Sequence, residues 1–333
     1  MTRGAAIGSG LLVTLATPAT WPLALATFLI RGGIVLFLVP IVVLPTPVGL
    51  GNTFGPTLTA VALGRPPMEA LVGAGLAVSC LLLWLIGGGW LAAALEAEGA
   101  RIVASDEDVA ARLRSGSSES PSTACRTGTA GAILAARLIA NLPLLVVLVA
   151  GSVRLVVVTY SELTSPLDVS TPIVLRVLRG TPEVVAAVVF AWMAGEMVGA
   201  VAARRIALAG DGVGRALVAA VGSCLRHPLS ALARFWLPTA VLALIVATAM
   251  VAAAVAWSAA GTALDEPDDP LVVLVTVVAL VLLWLVGLVL ASVVCAWRAA
   301  VWTVAEVHRQ GTFGGSSDRP PGDWRTQGSS ATL

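Results

Sequence analysis

The chain has 333 residues, 58% of them hydrophobic and 12% charged, with a net charge of +1 and a mean hydropathy of +0.94. A soluble domain carries about a quarter charged residues, so a wholly soluble fold is excluded. The small net charge also supplies no basic field for nucleic acid. Several apolar stretches of about 20 residues or more place the chain among the integral membrane proteins.

Taken in order, residues 5–20 read as a short interfacial helix rather than a cleaved signal, because Pro18 and Pro22 interrupt the apolar run and a full span follows. The first span is expected over 22–44, ended by Leu44-Pro45-Thr46-Pro47. A short outer helix from Pro56 to Leu63 follows, with Gly64 as its stop, and the second span covers 68–95. Residues 96–131 form a polar cytoplasmic linker. Within it Ser105-Asp106-Glu107-Asp108 fits a capping box that would start a helix, and Ser115 to Thr123 reads as a flexible segment.

The third span is expected over 132–160 and the fourth over 182–203, with a second outer helix from Pro172 to Arg179 stopped by Gly180. Residues 204–234 are basic and partly amphipathic. The fifth and sixth spans cover 235–260 and 270–296, joined by a short acidic loop, and the last continues as helix to His308. Residues 311–333 read as a disordered cytoplasmic tail. The fold class is therefore all-α: one polytopic membrane domain over 1–310, with six transmembrane helices as three hairpins (22–95, 132–203 and 235–296) and short in-plane helices.

Three features support an internal repeat. Trp84-Leu85-Ile86-Gly87, Trp192-Met193-Ala194-Gly195 and Trp284-Leu285-Val286-Gly287 stand at similar depth in one helix of each hairpin. Pro56, Gly64, Pro67 and Glu69 match Pro172, Gly180, Pro182 and Glu183. Ala136-Arg137 before Leu142-Pro143 matches Ala233-Arg234 before Leu237-Pro238. Gly87, Gly195 and Gly287 are read as sites of close helix packing, with Trp84, Trp192 and Trp284 filling the volume beside them.

All 20 basic residues are Arg, and 15 of them fall in segments on one side of the spans. By the positive-inside rule that side, with both termini, is cytoplasmic, in the inner membrane of a prokaryotic cell.

Charged and polar groups within the spans are the sharpest functional clue. They are Arg31, Asn141, Arg154 and Glu196. Each is costly in hydrocarbon and is expected to face the bundle interior with a partner. Arg31 and Glu196 lie at similar depth and are expected to pair. With Asn141 they form the candidate substrate-binding group, against the plainer reading of a structural lock between spans one and four. Arg154, near the outer end of its span, is expected to snorkel to the interface. Arg176 and Arg179 share a helix face and are candidates for lipid headgroups, or else form a solvated surface.

No phosphate-binding loop, H-E-x-x-H or G-x-S-x-G occurs. The cysteines Cys80, Cys125, Cys224 and Cys295 form no C-x-x-C, and His227 and His308 have no ligand-spaced partners. No metal, cofactor or catalytic residue is assigned.

Cys224-Leu225-Arg226-His227-Pro228-Leu229, at the end of an in-plane helix before a span, resembles a group of uncharacterised prokaryotic six-span membrane proteins. That group includes the membrane region attached to some glycerophosphodiester phosphodiesterases. The resemblance implies the helical arrangement; the phosphodiesterase activity is not carried over, since no soluble catalytic domain is present. Leu178-Arg179-Gly180-Thr181-Pro182 is similar to a piece of polar amino-acid importer permeases, but no Glu-Ala-Ala loop for an ATPase stands between the spans.

The expectation is a non-enzymatic membrane protein that binds or transports a small or lipophilic molecule. The alternative is an accessory or scaffold subunit of a membrane complex. The partners expected are membrane lipids, other membrane proteins or a second copy, and no nucleic acid.

Overall fold

Proline, glycine and a few small polar residues decide where this chain's helices stop, because nearly every other position is apolar and helix-compatible. The computed structural model describes residues 3–38, 60, 63–65, 67–106, 128–164, 173–265 and 270–314. Among these residues every regular element is a helix. The elements are α1 (Arg3–Ala16), α2 (Thr20–Phe28, continued through a π-helical turn, Leu29–Gly33, into Ile34–Leu38), α3 (Met68–Ala104) and α4 (Thr129–Ala140). They continue as α5 (Leu142–Thr164), α6 (Ile173–Gly180), α7 (Pro182–Ala209), α8 (Val213–Arg226), α9 (Pro228–Asp265) and α10 (Pro270–Gly314). Five of them, α3, α5, α7, α9 and α10, are long and apolar enough to cross a membrane. The pair α1–α2, bent by 111°, makes a sixth if counted as one span.

Several boundaries differ from the sequence reading for local reasons. The expected third span is two helices. Pro143 has no N–H with which to continue the helical ladder, and the chain breaks two residues earlier at Asn141, whose side-chain amide donates to Arg137 O at 2.9 Å. The expected linker does not begin at residue 96. Helix α3 runs on to Ala104, and Ser105 ends it, its N–H bonding Arg101 O at 2.9 Å; the helix expected from the capping box falls outside the described residues. Residues 107–127 lie outside the described residues. Helix α10 passes His308 as expected and reaches Gly314, four residues into the expected tail; residues 315–333 are not described. Thr181, rather than Gly180, makes the break before α7. The first outer helix lies almost wholly outside the described residues, although Gly64 has the left-handed φ of +73° that a helix stop favours. His227 breaks the chain before Pro228, as a residue before proline does.

The described core lies at one end of the bundle, where the arginines concentrate. Ala93, Ala97, Ile133, Ala136, Ala200 and Ala203 are buried together with Phe235 and Trp302. Small side chains let α3, α4, α7 and α8 approach closely, as membrane helices do where packing rather than hydrophobic exclusion drives association. A second cluster joins α9 to α10 through Leu242, Val246, Ala291 and Val294. Helix α1 lies against α10: the Trp297 indole donates to Ile7 O at 3.1 Å, and Gly10 is in contact with Val301. Away from this end, the Met68–Leu83 portion of α3 has no buried residue.

Candidate functional site

Helices α2, α3, α4, α7 and α10 converge at the packed end, and each brings a charged side chain to one place. Glu96 of α3 is the centre. Its Oε2 accepts from Arg31 Nη2 at 2.5 Å, and its Oε1 accepts from Arg137 Nη2 at 2.6 Å and from Arg204. Glu196 of α7 forms the second node, accepting from Arg298 Nη2 at 2.8 Å and from Arg137 Nη1 at 3.4 Å. Arg137 thus bridges the two carboxylates. Arg204 also donates to Ala299 O at 3.5 Å.

The local sequence explains how each group is placed. Arg31 lies inside the π-helical turn of α2, next to Gly32, whose φ of +102° is one that residues with a Cβ rarely adopt. The kink at Gly32 redirects the chain beside Arg31, so its side chain leaves the direction a regular helix would give it. Arg204 immediately precedes another π turn, Arg205–Ala209. Gly199 of α7 gives Arg137 its path: a Cβ there would lie 3.1 Å from Arg137 Cδ. Gly195 does the same for Asn141, since a Cβ would come within 2.5 Å of its Oδ1 and 3.0 Å of Ala140 O. The guanidinium of Arg298 lies 5.5 Å from the centre of the Phe235 ring, a cation–π distance.

Exposure grades across the cluster. The side chains of Arg204 and Glu96 are 4% and 6% exposed, while those of Arg298 and Arg31 are 23% and 32% exposed. The open side faces a cavity of about 460 Å³. All six charged groups line it, together with apolar side chains that include Leu23, Phe28, Leu36, Trp192 and Trp302.

The sequence-assigned groups fare unequally. Arg31 and Glu196 both line the cavity, but they do not pair: Arg31 bonds Glu96, and Glu196 bonds Arg137 and Arg298. Asn141 is not among the lining residues; it caps the end of α4 and packs under Gly195. Gly195 is therefore a point of close packing, and Trp192 meets Phe235 edge-on at 5.4 Å. Trp284 packs on the α9–α10 cluster and Gly287 is buried. Trp84 is half exposed and a Cβ on Gly87 would meet nothing within 4 Å, so Gly87 is not a point of close packing among the described residues. Arg176 is held in an ion pair with Glu162 at 3.0 Å, both mostly buried, whereas Arg179 is exposed. The two do not present one cationic face. Arg154 reaches Glu183 at 3.4 Å in an exposed pair.

Glu96, Arg137, Arg204 and Arg298 were not assigned from sequence. A signal for Glu96 exists: Ala92, Ala93, Glu96, Ala97, Ala100 and Val103 are the buried positions of α3, spaced as one helix face. That face continues past Leu95, where the apolar run stops.

A second polar layer lies beyond the first. Arg205 bonds Asp211 at 2.8 Å and Glu306 at 3.4 Å, and Arg309 approaches Glu306 at 3.5 Å. Cys224 is partly buried close to Arg309 and Arg234; burial pushes its thiol above the usual range, and the two cations oppose this only in part. Among the described residues no group of three His, Cys, Asp or Glu side chains is placed to hold a metal ion. No family model, curated protein or solved structure matches this chain.

Proposed function

We propose that this chain is a non-enzymatic integral membrane protein that binds or carries a small or lipophilic molecule in the cavity beside Arg31, Glu96 and Glu196. The observation that carries the reading is the cavity itself: about 460 Å³ of space lined both by six charged side chains and by apolar ones. A purely structural ion network is expected to be closed over by packing, because hydrocarbon and empty space both fail to satisfy it. The volume lies in the range of about 300–1,000 Å³ usual for small-molecule sites. In this reading six spans form three related hairpins, and the arginine-rich end faces the cytoplasm of a prokaryotic cell across its inner membrane, with both termini inside.

Gly99 offers a clean test. It lines the cavity, and a Cβ built on it meets no heavy atom within 4 Å. Gly99→Phe therefore adds bulk at the cavity wall from a Cβ position that is itself unobstructed. Native mass spectrometry of protein released from nanodiscs of host lipid is expected to show a retained molecule on the wild type and none on Gly99→Phe. Equal retention on both, or a bare wild type, would dismiss the reading.

A second reading has its own support. The Met68–Leu83 half of α3 buries no residue among those described, leaving apolar length for another membrane protein or a second copy. On that reading the chain is an accessory or scaffold subunit. A defined oligomer or co-purifying membrane partner, with an empty cavity, would favour it.

A further inference from the structure

We infer that the cavity takes an anionic amphiphile whose head is a phosphomonoester and whose apolar chain lies along the uncharged wall. This rests on the binding reading above and adds the chemical class of ligand.

Charge is the first argument. Arg31, Arg137, Arg204 and Arg298 line the cavity against Glu96 and Glu196. Arginine stays protonated in proteins, so with both carboxylates ionised the lining carries a net charge of +2. An unbalanced charge next to hydrocarbon is costly. A carboxylate or a phosphodiester would neutralise half of it. A phosphomonoester, at about −1.5 to −2 near neutral pH, neutralises nearly all.

Hydrogen bonding points the same way. Among the described residues, the acceptors that the four guanidiniums meet are the two carboxylates and Ala299 O. Arginine is a donor only, with several N–H groups in a planar fork. Arg137 Nε and Arg204 Nε are sealed from solvent with no acceptor among the described residues. The cluster is thus richer in donors than in acceptors, and phosphate oxygens complement the fork geometry of guanidinium. The two most open guanidiniums, those of Arg31 and Arg298, are the ones an arriving head would meet first.

The rest of the lining argues for a chain rather than a free ion. Leu23, Phe28, Leu36, Val103, Trp192 and Trp302 offer phosphate nothing, and the cavity is far larger than a phosphate group. Apolar surface of this kind is satisfied by hydrocarbon.

The test uses the full chain in nanodiscs of phosphatidylcholine, titrated with phosphatidate, phosphatidylglycerol or inorganic phosphate and read by native mass spectrometry. Phosphatidate is expected to be retained at least about tenfold better than either other lipid, with inorganic phosphate failing to displace it at equal concentration. Arg298→Gln should weaken that retention by about tenfold to a hundredfold, the worth of a hydrogen bond to a charged group. Glu196→Gln should strengthen it, because the lining then carries one more net positive charge. A merely structural role for Glu196 would not produce that gain. Gly99→Phe should abolish retention of every lipid.

Equal retention of phosphatidylcholine that Gly99→Phe removes would overturn the inference while leaving the binding reading standing. Displacement by equimolar inorganic phosphate would make this a small-ion site and overturn the amphiphile. A phosphatidate preference unchanged in both Arg298→Gln and Glu196→Gln would place the head away from the cluster and also overturn it. No retained lipid of any kind would end both the inference and the reading beneath it.

Discussion

Glu96→Gln is the perturbation that bears hardest on the ion cluster. Glu96 accepts from three guanidiniums, and two of them, Arg137 and Arg204, are as sealed as the carboxylate itself, with side chains 11% and 4% exposed. A hydrogen bond to a charged group is worth about 1.5–3 kcal/mol. Losing the charge-assisted part of the two deep bonds therefore amounts to a few kcal/mol. The half-open Arg31 pair adds little, since solvent screens it. Removing one member of a buried charge group typically costs about 3–5 kcal/mol, because the remaining charges stay buried without compensation. The glutamine amide also turns N–H donors toward guanidiniums that have none to accept them. Glu96→Gln is thus expected to destabilise by about 3–5 kcal/mol, and Glu196→Gln by less, since its side chain is 20% exposed and has one short and one long partner. The assay is reversible unfolding in mild detergent, with Arg204→Gln and the double change Glu96→Gln/Arg204→Gln completing a cycle. The double change should cost clearly less than the sum of the singles. A Glu96→Gln protein as stable as the wild type, or strictly additive effects, would refute the reasoning.

Three further outcomes follow from the same structure. Gly195→Leu should destabilise by about 1–3 kcal/mol through overpacking against Asn141 and Ala140, whereas Gly87→Leu, with nothing within 4 Å of a Cβ, should be close to neutral; equal effects in a thermal melt would contradict the packing. Because burial raises the Cys224 thiol, its thiolate fraction at a given pH is below that of a free thiol, so its maleimide labelling curve should lie at higher pH; labelling at the free-thiol rate at pH 8 would show that the site is open. On a cysteine-free background, Ser117→Cys should resist an impermeant reagent in intact cells and react after permeabilisation, and labelling from outside would reverse the proposed orientation.

The apolar runs announced long helices because hydrocarbon tolerates no unsatisfied backbone, and those runs reappear as α3, α5, α7, α9 and α10. Their ends were less legible. Glu96 closed the apolar count and was read as the start of a linker, although its helix face runs on to Val103. Pro143 was a visible break that the hydropathy of 132–160 outweighed. At the site, Arg31 and Glu196 stood out because apolar residues surround them in sequence. Arg137, Arg204 and Arg298 lie near the ends of apolar stretches and were read only for orientation. Their partners are 41 to 108 residues away in the chain, and no local pattern encodes which arginine meets which carboxylate. Arg31 and Glu196 both line the cavity, but Glu96 and Arg137 stand between them as partners.

The most direct measurement is electron cryomicroscopy of the full chain in nanodiscs of host lipid, at a resolution that separates side chains. Non-protein density is expected in the cavity, in contact with the guanidiniums of Arg31 and Arg298, with a tail along Leu23 and Leu36. A cavity closed by α2 settling onto the Glu96 cluster, leaving no room for a ligand, would contradict it.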